Sequence, residues 1–438
     1  MRTGKFNHRL YLGLLVISSA LLAKMALAQE ETNESQAAKI NAAKVPNQSS
    51  WQPVSWYQWL GPQRNGISPE TGLFDDTPSF SEIWRVKAGP GFSGLSVVDG
   101  KAYTMYAKGQ SEYAVCLNAA TGEEIWATRT GGLFANSMGG DGPRATPTVV
   151  GDRVFTASAQ SVLYALDAET GAIIWSQDLP SKIASARVSE YDWGYSASPL
   201  VEEGRVLIES GGKNNRSLAA FNTEDGSLLW TSGSDEMGYS SPIGIDFAGQ
   251  RQAVFFTGEG LMAVAPQNGQ VLWRHPWPTD HKINAATPVF VPPDKIFIST
   301  GYGVGGALVQ LIADDERTTT VLVWKNKSMK NHFATSVYYQ GHLYGFDESI
   351  LVCLDATTGE EKWKTRGYGK GSLIIADGHL VILGEIGNLG IAEATPDAFR
   401  TKATRPVFDS KCWTNPSLAD GRIYLRDEKE IVCLNINQ

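Results

Sequence analysis

The side chains best equipped for chemistry in this sequence are Arg144, Tyr191, Trp193, His281, Asn284, His332, Lys370, Trp413 and Asn415. An arginine or lysine can grip an anion, a histidine can move a proton, an asparagine can orient a polar ligand, and Trp or Tyr rings can stack on a flat one. All nine fall in the segments that link the last strand of one repeat to the first of the next, rich in Arg, Lys, His, Asn, Tyr and Trp: 131–144, 185–195, 278–284, 325–333, 366–371 and 409–415, with 235–239 of the same kind between them. Loops on a rigid body are where ligands are met, and a mouth of aromatic rings with a few polar groups is a binding site before it is a reaction centre. Each residue also has an ordinary use. Arg144 can tie down its own loop through backbone carbonyls, Trp193 and Trp413 can cap a core, and His281 and His332 can be solvated.

No complete catalytic set accompanies them. The six histidines, His8, His275, His281, His332, His342 and His379, have no metal-ligand spacing. His342 and His379 occupy turn positions where solvent is the expected partner. Asp141, Asp192, Asp235 and Asp280 are scattered, so no metal is expected. Gly301-Tyr-Gly303-Val-Gly305-Gly306 matches a dinucleotide fingerprint but no helical pattern follows it, so the match fails its context. A G-x-S-x-G nucleophile elbow is absent. Cys116, Cys353 and Cys433 sit in equivalent places just before Leu-Asn or Leu-Asp, where Ala165, Ala220 and Val264 stand elsewhere. A slot shared by Cys, Ala and Val asks for a small buried side chain, not a disulfide. Cys412 lies in a loop.

What holds the loops is a repeat. Residues 145–175 contain four short runs rich in β-branched and aromatic residues, separated by turn signals: a four-stranded antiparallel meander. Such a unit buries both faces only by stacking on copies of itself. Copies occupy 94–126, 145–175, 196–230, 240–273, 286–324 (turn degraded), 334–363, 371–407 (turn lost, closing Trp replaced by Val407 or a neighbour) and 414–437, which stops after its third strand. The missing fourth strand is found at 81–87, where Ile83-Trp84 has the ending of the other copies. The expected fold is all-β, an eight-bladed β-propeller over 80–438, its ring closed by an N-terminal strand. Trp84, Trp126, Trp175, Trp230, Trp273, Trp324 and Trp363 are expected to dock blade on blade. Each would remove ~150–250 Å² from water, roughly 4–6 kcal/mol gross per interface.

Ahead of the repeats come three segments. Residues 1–28 read as a cleavable signal peptide, with basic Arg2, Lys5 and Arg9, an apolar run over 10–23 and Ala26-Leu27-Ala28 at its end. No Cys follows for a lipid anchor. Residues 29–50 read as a disordered linker. Residues 51–79 read as an ordered strap, irregular over 56–72, whose Trp56, Tyr57 and Trp59 need burial. Loss of 1–28 takes Arg2, Lys5, Arg9 and Lys24 from 38 basic residues and leaves 34 against 46 acidic ones, a formal charge of −12 instead of −8. That balance disfavours nucleic acid and anionic membranes as partners. The expectation is a periplasmic or secreted monomer, with no membrane insertion once the leader is cleaved.

The Ala-x-Asp-x-x-Thr-Gly-x-x-x-Trp pattern resembles the tryptophan-docking repeat of quinoprotein-type propellers, a family that includes pyrroloquinoline quinone (PQQ) dehydrogenases and the assembly factor BamB. The segments 59–66, 142–147 and 369–372 are similar to secreted PQQ-like repeat proteins. The resemblance implies either a binding scaffold for a protein, peptide or polymer, or a PQQ- and calcium-dependent dehydrogenase of alcohols, sugars or polyols. The dehydrogenase pattern has an adjacent Cys-Cys disulfide, a calcium held by Glu, Asn and Asp, and an Asp base, and this sequence lacks the Cys-Cys pair. The first expectation is therefore a non-catalytic scaffold without a cofactor. A third is a polysaccharide-binding module stacking sugars on Trp193 and Trp413.

Overall fold

The computed structural model describes residues 55–183, 193–314 and 317–436. The expected signal peptide, the linker and Tyr191 lie outside the described residues. Eight antiparallel sheets follow one another around a ring. Blade 1 runs Ser96–Val98, Lys101–Lys108, Ser111–Asn118 and Glu124–Gly132; blade 2 runs Thr148–Val150, Arg153–Ala157, Val162–Asp167 and Ile173–Asp178. Blades 3 to 7 span Leu200–Glu202 to Leu228–Ser232, Ile243–Phe247 to Val271–Pro276, Val289–Val291 to Thr318–Asn326, Val337–Tyr339 to Glu361–Thr365, and Ser372–Ala376 to Thr401–Pro406. In blade 8, Ser417–Ala419, Arg422–Arg426 and Glu430–Ile436 are completed by Phe80–Lys87 from the other end of the chain. That strand pairs with the last one from Phe80↔Ile436 to Lys87↔Glu430.

Outer contacts between blades follow one rule. A tryptophan on the fourth strand lies against the turn of the next blade and donates its indole N–H to a carbonyl there. The pairs are Trp84 to Ala119, Trp126 to Ala168, Trp175 to Thr223, Trp230 to Pro266, Trp324 to Ala356 and Trp363 to Thr395, at 2.8–3.1 Å. The turn glycine sits flat under the ring. A Cβ on Gly171 would stand 2.5 Å from Trp126 Cδ2, and one on Gly226 2.6 Å from Trp175 Cδ2. Both glycines have positive φ, so the turn excludes a side chain twice over.

Three details depart from the sequence expectation. Trp273 donates to Gln252 Oε1 in its own blade, 2.7 Å, and not to a carbonyl of blade 5. The slot opposite Trp273 is Ala263 instead of Val264, since the register pairs Ala263↔Trp273. In blade 7 the tryptophan position is Ala403, not Val407. Ile391 pairs with Ala403 beside the same bulge that precedes tryptophan elsewhere, and Val407 follows the end of the strand. Arginines serve this junction instead: Arg405 donates to Phe80 O, and Arg85 donates to Val407 O at 3.1 Å while lying 5.5 Å from the Phe408 ring.

A second set of bonds joins the blades around the axis. Ser96 Oγ donates to Pro147 O, Thr148 Oγ1 to Pro199 O, Ser372 Oγ to Thr414 O and Ser417 Oγ to Leu95 O, at 2.6–3.0 Å. Ser198 Oγ and Ser241 Oγ accept backbone N–H groups from the preceding blades at 2.9 Å. Cys116, Cys353, Cys412 and Cys433 are free thiols, all buried, with burial raising each thiol pKa.

The strap crosses the channel. Trp56 bridges to Val97 in blade 1, Tyr57 O accepts from Val149 N in blade 2, and Arg64 donates to Pro199 O and Ser198 O in blade 3. Trp59 Nε1 reaches Thr287 Oγ1 at 2.9 Å in blade 5. Ile67–Ser68, expected to be irregular, adds a short parallel strand to the first strand of blade 7. The strap then leaves past the first turns of blades 7 and 8, where Asp377 accepts from Leu73 N and Glu70 from Gly421 N. Its Phe74 packs 5.1 Å from the His379 ring, which is half-buried instead of solvated. Arg64 is fully buried, and desolvation lowers its pKa to about 9.

Two predictions follow from these contacts. Gly151 and Gly171 both have positive φ, but a Cβ on Gly151 meets nothing within 4 Å. Gly151→Ala should cost about 1–2 kcal/mol for left-handed backbone alone, and Gly171→Ala at least about 2 kcal/mol more through the clash with Trp126; urea denaturation of the two variants measures the difference. Deleting residues 81–87 leaves the outer edge of Glu430–Ile436 unpaired, its other edge still held by Arg422–Arg426. Calorimetry should then show a broadened, lower transition, and a melt unchanged from the full chain would refute closure by strand donation.

Candidate functional site

Each inner strand is entered from the loop that follows the preceding blade, so these loops gather on one face around the axis. The turns between second and third strands open on the same face. Together they form a cup with an empty volume of about 970 Å³, including its open mouth. Its wall carries Phe92, Trp193, Tyr239, Tyr302, His332, Phe333 and Trp413, with Met138, Arg144, Ile283 and Ala285 between them and Ser196, Ser198 and Ser241 lower down. Trp59 of the strap also lines it. Because the strap spans the channel from blades 1–3 to blades 5–7, the cup has one mouth and a floor.

The rings form a continuous arc. Tyr302 and His332 are 4.8 Å apart between centroids, His332 and Phe333 5.4 Å, Phe333 and Trp413 4.7 Å, and Trp413 and Phe92 5.5 Å, with interplanar angles of 33–77°. Arg144 continues the arc, its guanidinium 5.8 Å from the Phe92 ring and 4.9 Å from that of Phe134. Its Nη1 donates to Gly142 O and its Nη2 to Gly140 O at 2.7 Å, so the guanidinium holds its own loop. Desolvation by burial lowers its pKa to about 10.

Buried polar groups behind the wall fix the loops. Glu112 accepts from Phe134 N and Ala159 N, both at 3.2 Å, and Glu209 accepts from Gly238 N at 2.9 Å. Arg426 donates to Met105 O at 2.7 Å and to Ser93 O and Gly89 O at 3.2 Å, behind the segment that carries Phe92. Glu385 accepts from Trp413 Nε1 and from Lys370 N, both at 3.0 Å, which sets the angle of the indole. Gly301 lets His332 approach, since a Cβ there would be 3.1 Å from His332 Cδ2. Burial first, then Lys370, lowers the His332 pKa and keeps the imidazole neutral near pH 7; its Nδ1 is buried without a partner.

Of the residues singled out in the sequence, Arg144, Trp193, His332 and Trp413 line the cup. His281 is exposed outside it, 6.5 Å from the Tyr302 ring. Asn284 is buried between Thr257 O and Thr300 Oγ1, at 2.7 and 2.8 Å, and Asn415 donates to Leu373 O at 3.3 Å. Both asparagines hold backbone. Lys370 pairs with Glu348 at 3.3 Å. Phe92, Tyr302, Tyr239, Phe333 and Trp59 escaped selection. The last three lie in segments already marked as loops or strap, so aromatic content within those segments was the available signal. Phe92 lies in the connection from blade 8 to blade 1, residues 88–95, a loop of the same kind, and Tyr302 in the turn between the second and third strands of blade 5, which only the ring geometry brings to the same face.

The lining does not fit a calcium-held quinone. Such a group is an anion needing carboxylates for its metal and free cations for itself, whereas among the described residues no carboxylate lines the cup and the lining cation, Arg144, has both terminal nitrogens bonded to its own loop. Among the described residues no group of three or more His, Cys, Asp or Glu is placed to hold a metal ion.

Glu209 provides a pH test of the loop anchors. Burial raises its pKa from 4.5 to about 8, with Asp235 adding to the rise against the bond from Gly238. The folded chain therefore binds this proton more tightly than the unfolded chain, and the associated stability is complete below about pH 4.5 and lost as pH rises through about 8. Glu209→Gln keeps an acceptor for Gly238 N, so the fall in melting temperature between pH 5 and 8.5 should be shallower than in the parent.

The family model described as outer membrane protein assembly factor BamB matches residues 136–365, from the loop after blade 1 to the last strand of blade 6. The tetrathionate hydrolase of Acidithiobacillus ferrooxidans is 24% identical over 226 residues, covering 48% of this chain and 40% of that protein. The outer membrane protein assembly factor BamB of Moranella endobia is 23% identical over 257 residues, 56% of this chain and 61% of its own. The chain thus spans less than two thirds of the length of either relative. Among solved structures, the quinohemoprotein alcohol dehydrogenase ADHIIG of Pseudomonas putida HK5 superposes with a TM-score of 0.60 at 13% identity, covering 87% of this chain and 80% of that one, a likeness of fold alone. With more than half of its residues matched by the family model, and an indole docked on the next blade at six of the eight junctions, this chain belongs to the PQQ-repeat propeller family described as outer membrane protein assembly factor BamB.

Proposed function

We propose that the chain is an exported, non-catalytic propeller that binds a protein, peptide or polymer on its loop-lined face, in the periplasm or outside the cell. The observation that carries this reading is the lining of the cup: aromatic carbon over most of its wall, with no carboxylate among the described lining residues to act as base or to hold a metal. A surface of that kind desolvates a partner and does not polarise a bond. The leader-like sequence over 1–28 supports export. Relatives named for outer membrane protein assembly favour a polypeptide partner.

The test pans the mature protein against a library of random dodecapeptides. Ligands are expected whose binding falls at least tenfold in Trp193→Ala plus Trp413→Ala and persists in Ile174→Ala plus Leu229→Ala, on the outer strands, with melting curves confirming that each variant folds. Dye reduction with PQQ, calcium and an alcohol would overturn the reading, as would ligands that bind both variants alike.

A further inference from the structure

Resting on the scaffold reading, we infer that the cup is a socket for a single neutral aromatic side chain carried by the partner polypeptide. Three features of the cup define the occupant. The first is charge. A cation entering would leave water without a counter-ion and face Arg144, because no carboxylate is among the described residues of the wall; an anion would meet one guanidinium turned onto Gly140 O and Gly142 O in a wall otherwise mostly of aromatic carbon. The wall therefore favours an uncharged occupant.

The second is ring orientation. Neighbouring rings from Tyr302 round to Phe92 are tilted by 33–77°. They make a box whose walls present both edges and faces, which suits an aromatic ring packing edge-to-face. A pyranose ring requires an open, flat platform, and two of the large faces are taken: Trp413 lies between Phe92 and Phe333, and Trp193 packs against Gly139, where a Cβ would be 2.5 Å from its ring. The box thus favours a peptide side chain over a sugar.

The third is closure. Trp59, fixed to Thr287 Oγ1, lines the cup from the strap that blocks the channel beyond it. An occupant enters and leaves by one mouth, as a side chain does and a threading polymer does not. Of the lining residues Met138 is 62% exposed and Tyr302 48%, an apolar rim for the residues flanking the inserted one. The hydroxyls of Ser198 and Ser241, each accepting a backbone N–H, keep a proton to donate to a phenol oxygen and a second lone pair to accept an indole N–H.

Ligand-observed saturation-transfer NMR on the full mature protein tests this with N-acetyl amides of Phe, Trp, Leu and Ala and with methyl glucoside. The Phe and Trp amides should bind at least tenfold more tightly than the Leu amide, with transfer strongest to ring protons. Ala285→Trp fills the cup without removing a ring and should abolish that transfer while the melting curve stays that of a folded chain. Equal binding of the Leu and Phe amides, binding of the glucoside in preference to both, no binding of the aromatic amides, or aromatic binding that survives Ala285→Trp each overturns the socket. These failures are distinct from failure of the scaffold reading. Library peptides that need the loop face but bind equally when their aromatic residues are changed to Ala would retain the scaffold and remove the socket.

Discussion

The contact on which the propeller depends is an indole laid on a glycine. A four-stranded meander has two faces to bury and its only suitable partners are its neighbours, so the chain must repeat and the repeat must close. The docking tryptophan meets both needs. It covers the turn of the next blade, and its N–H fixes the distance and angle between blades through a backbone carbonyl. Where it bonds within its own blade, at Trp273, or has no counterpart, at Ala403, other bonds carry the junction. Thr320 Oγ1 donates to Arg274 O between blades 5 and 4, and Arg405 and Arg85 span blades 7 and 8. The ring tolerates local substitutes because every junction solves the same geometric problem independently.

Docking at the outer edge and hydroxyl bonds near the axis hold the blades at two radii. Between those radii the core is apolar and uniform. On the loop face, by contrast, the buried groups are ionisable: Glu112, Glu209 and Arg426 each serve backbone atoms of a segment that lines the cup or supports its wall. They are the cost of irregular backbone next to a core, whose N–H and C=O groups need partners that no neighbouring strand provides. The cup is rigid because its loops are bonded from behind.

The architecture was legible in the sequence because its signals are local and repeated. Turn glycines, tryptophans four residues later and a stray Ile83-Trp84 were enough to count the blades and close the ring. Register was harder: with Pro266-Gln-Asn-Gly269 in place of the usual turn, pattern alone put Val264 opposite Trp273, and in blade 7 the lost turn left no reference for Ala403. The site was legible as a set of loops but not as a set of residues. Arg144, Trp193, His332 and Trp413 reach the cup, while Asn284 and Asn415, of equally suitable type, turn inward to backbone. No spacing rule distinguishes these cases, because the direction of a loop side chain is set by the neighbouring blade. The same holds for the strap, whose burial was demanded by its aromatic residues but whose path across the axis was not.

That path has a consequence for how the molecule is made. Glu70 is bonded to Gly421, 351 residues away, and Arg85 to Glu430, 345 residues away. The latch of the ring lies near the beginning of the described chain and its seat is built from the end, whereas Trp56, Tyr57, Trp59 and Arg64 of the strap seat on blades 1, 2, 5 and 3. During N-to-C synthesis the strap can settle as those blades assemble from local hairpins, while the closing strand waits and locks in only when the last sheet is present. Until then the ring is open and the wall of the cup lacks Trp413. The chain thus times its own competence: the surface proposed to receive a partner is completed by the same event that completes the fold.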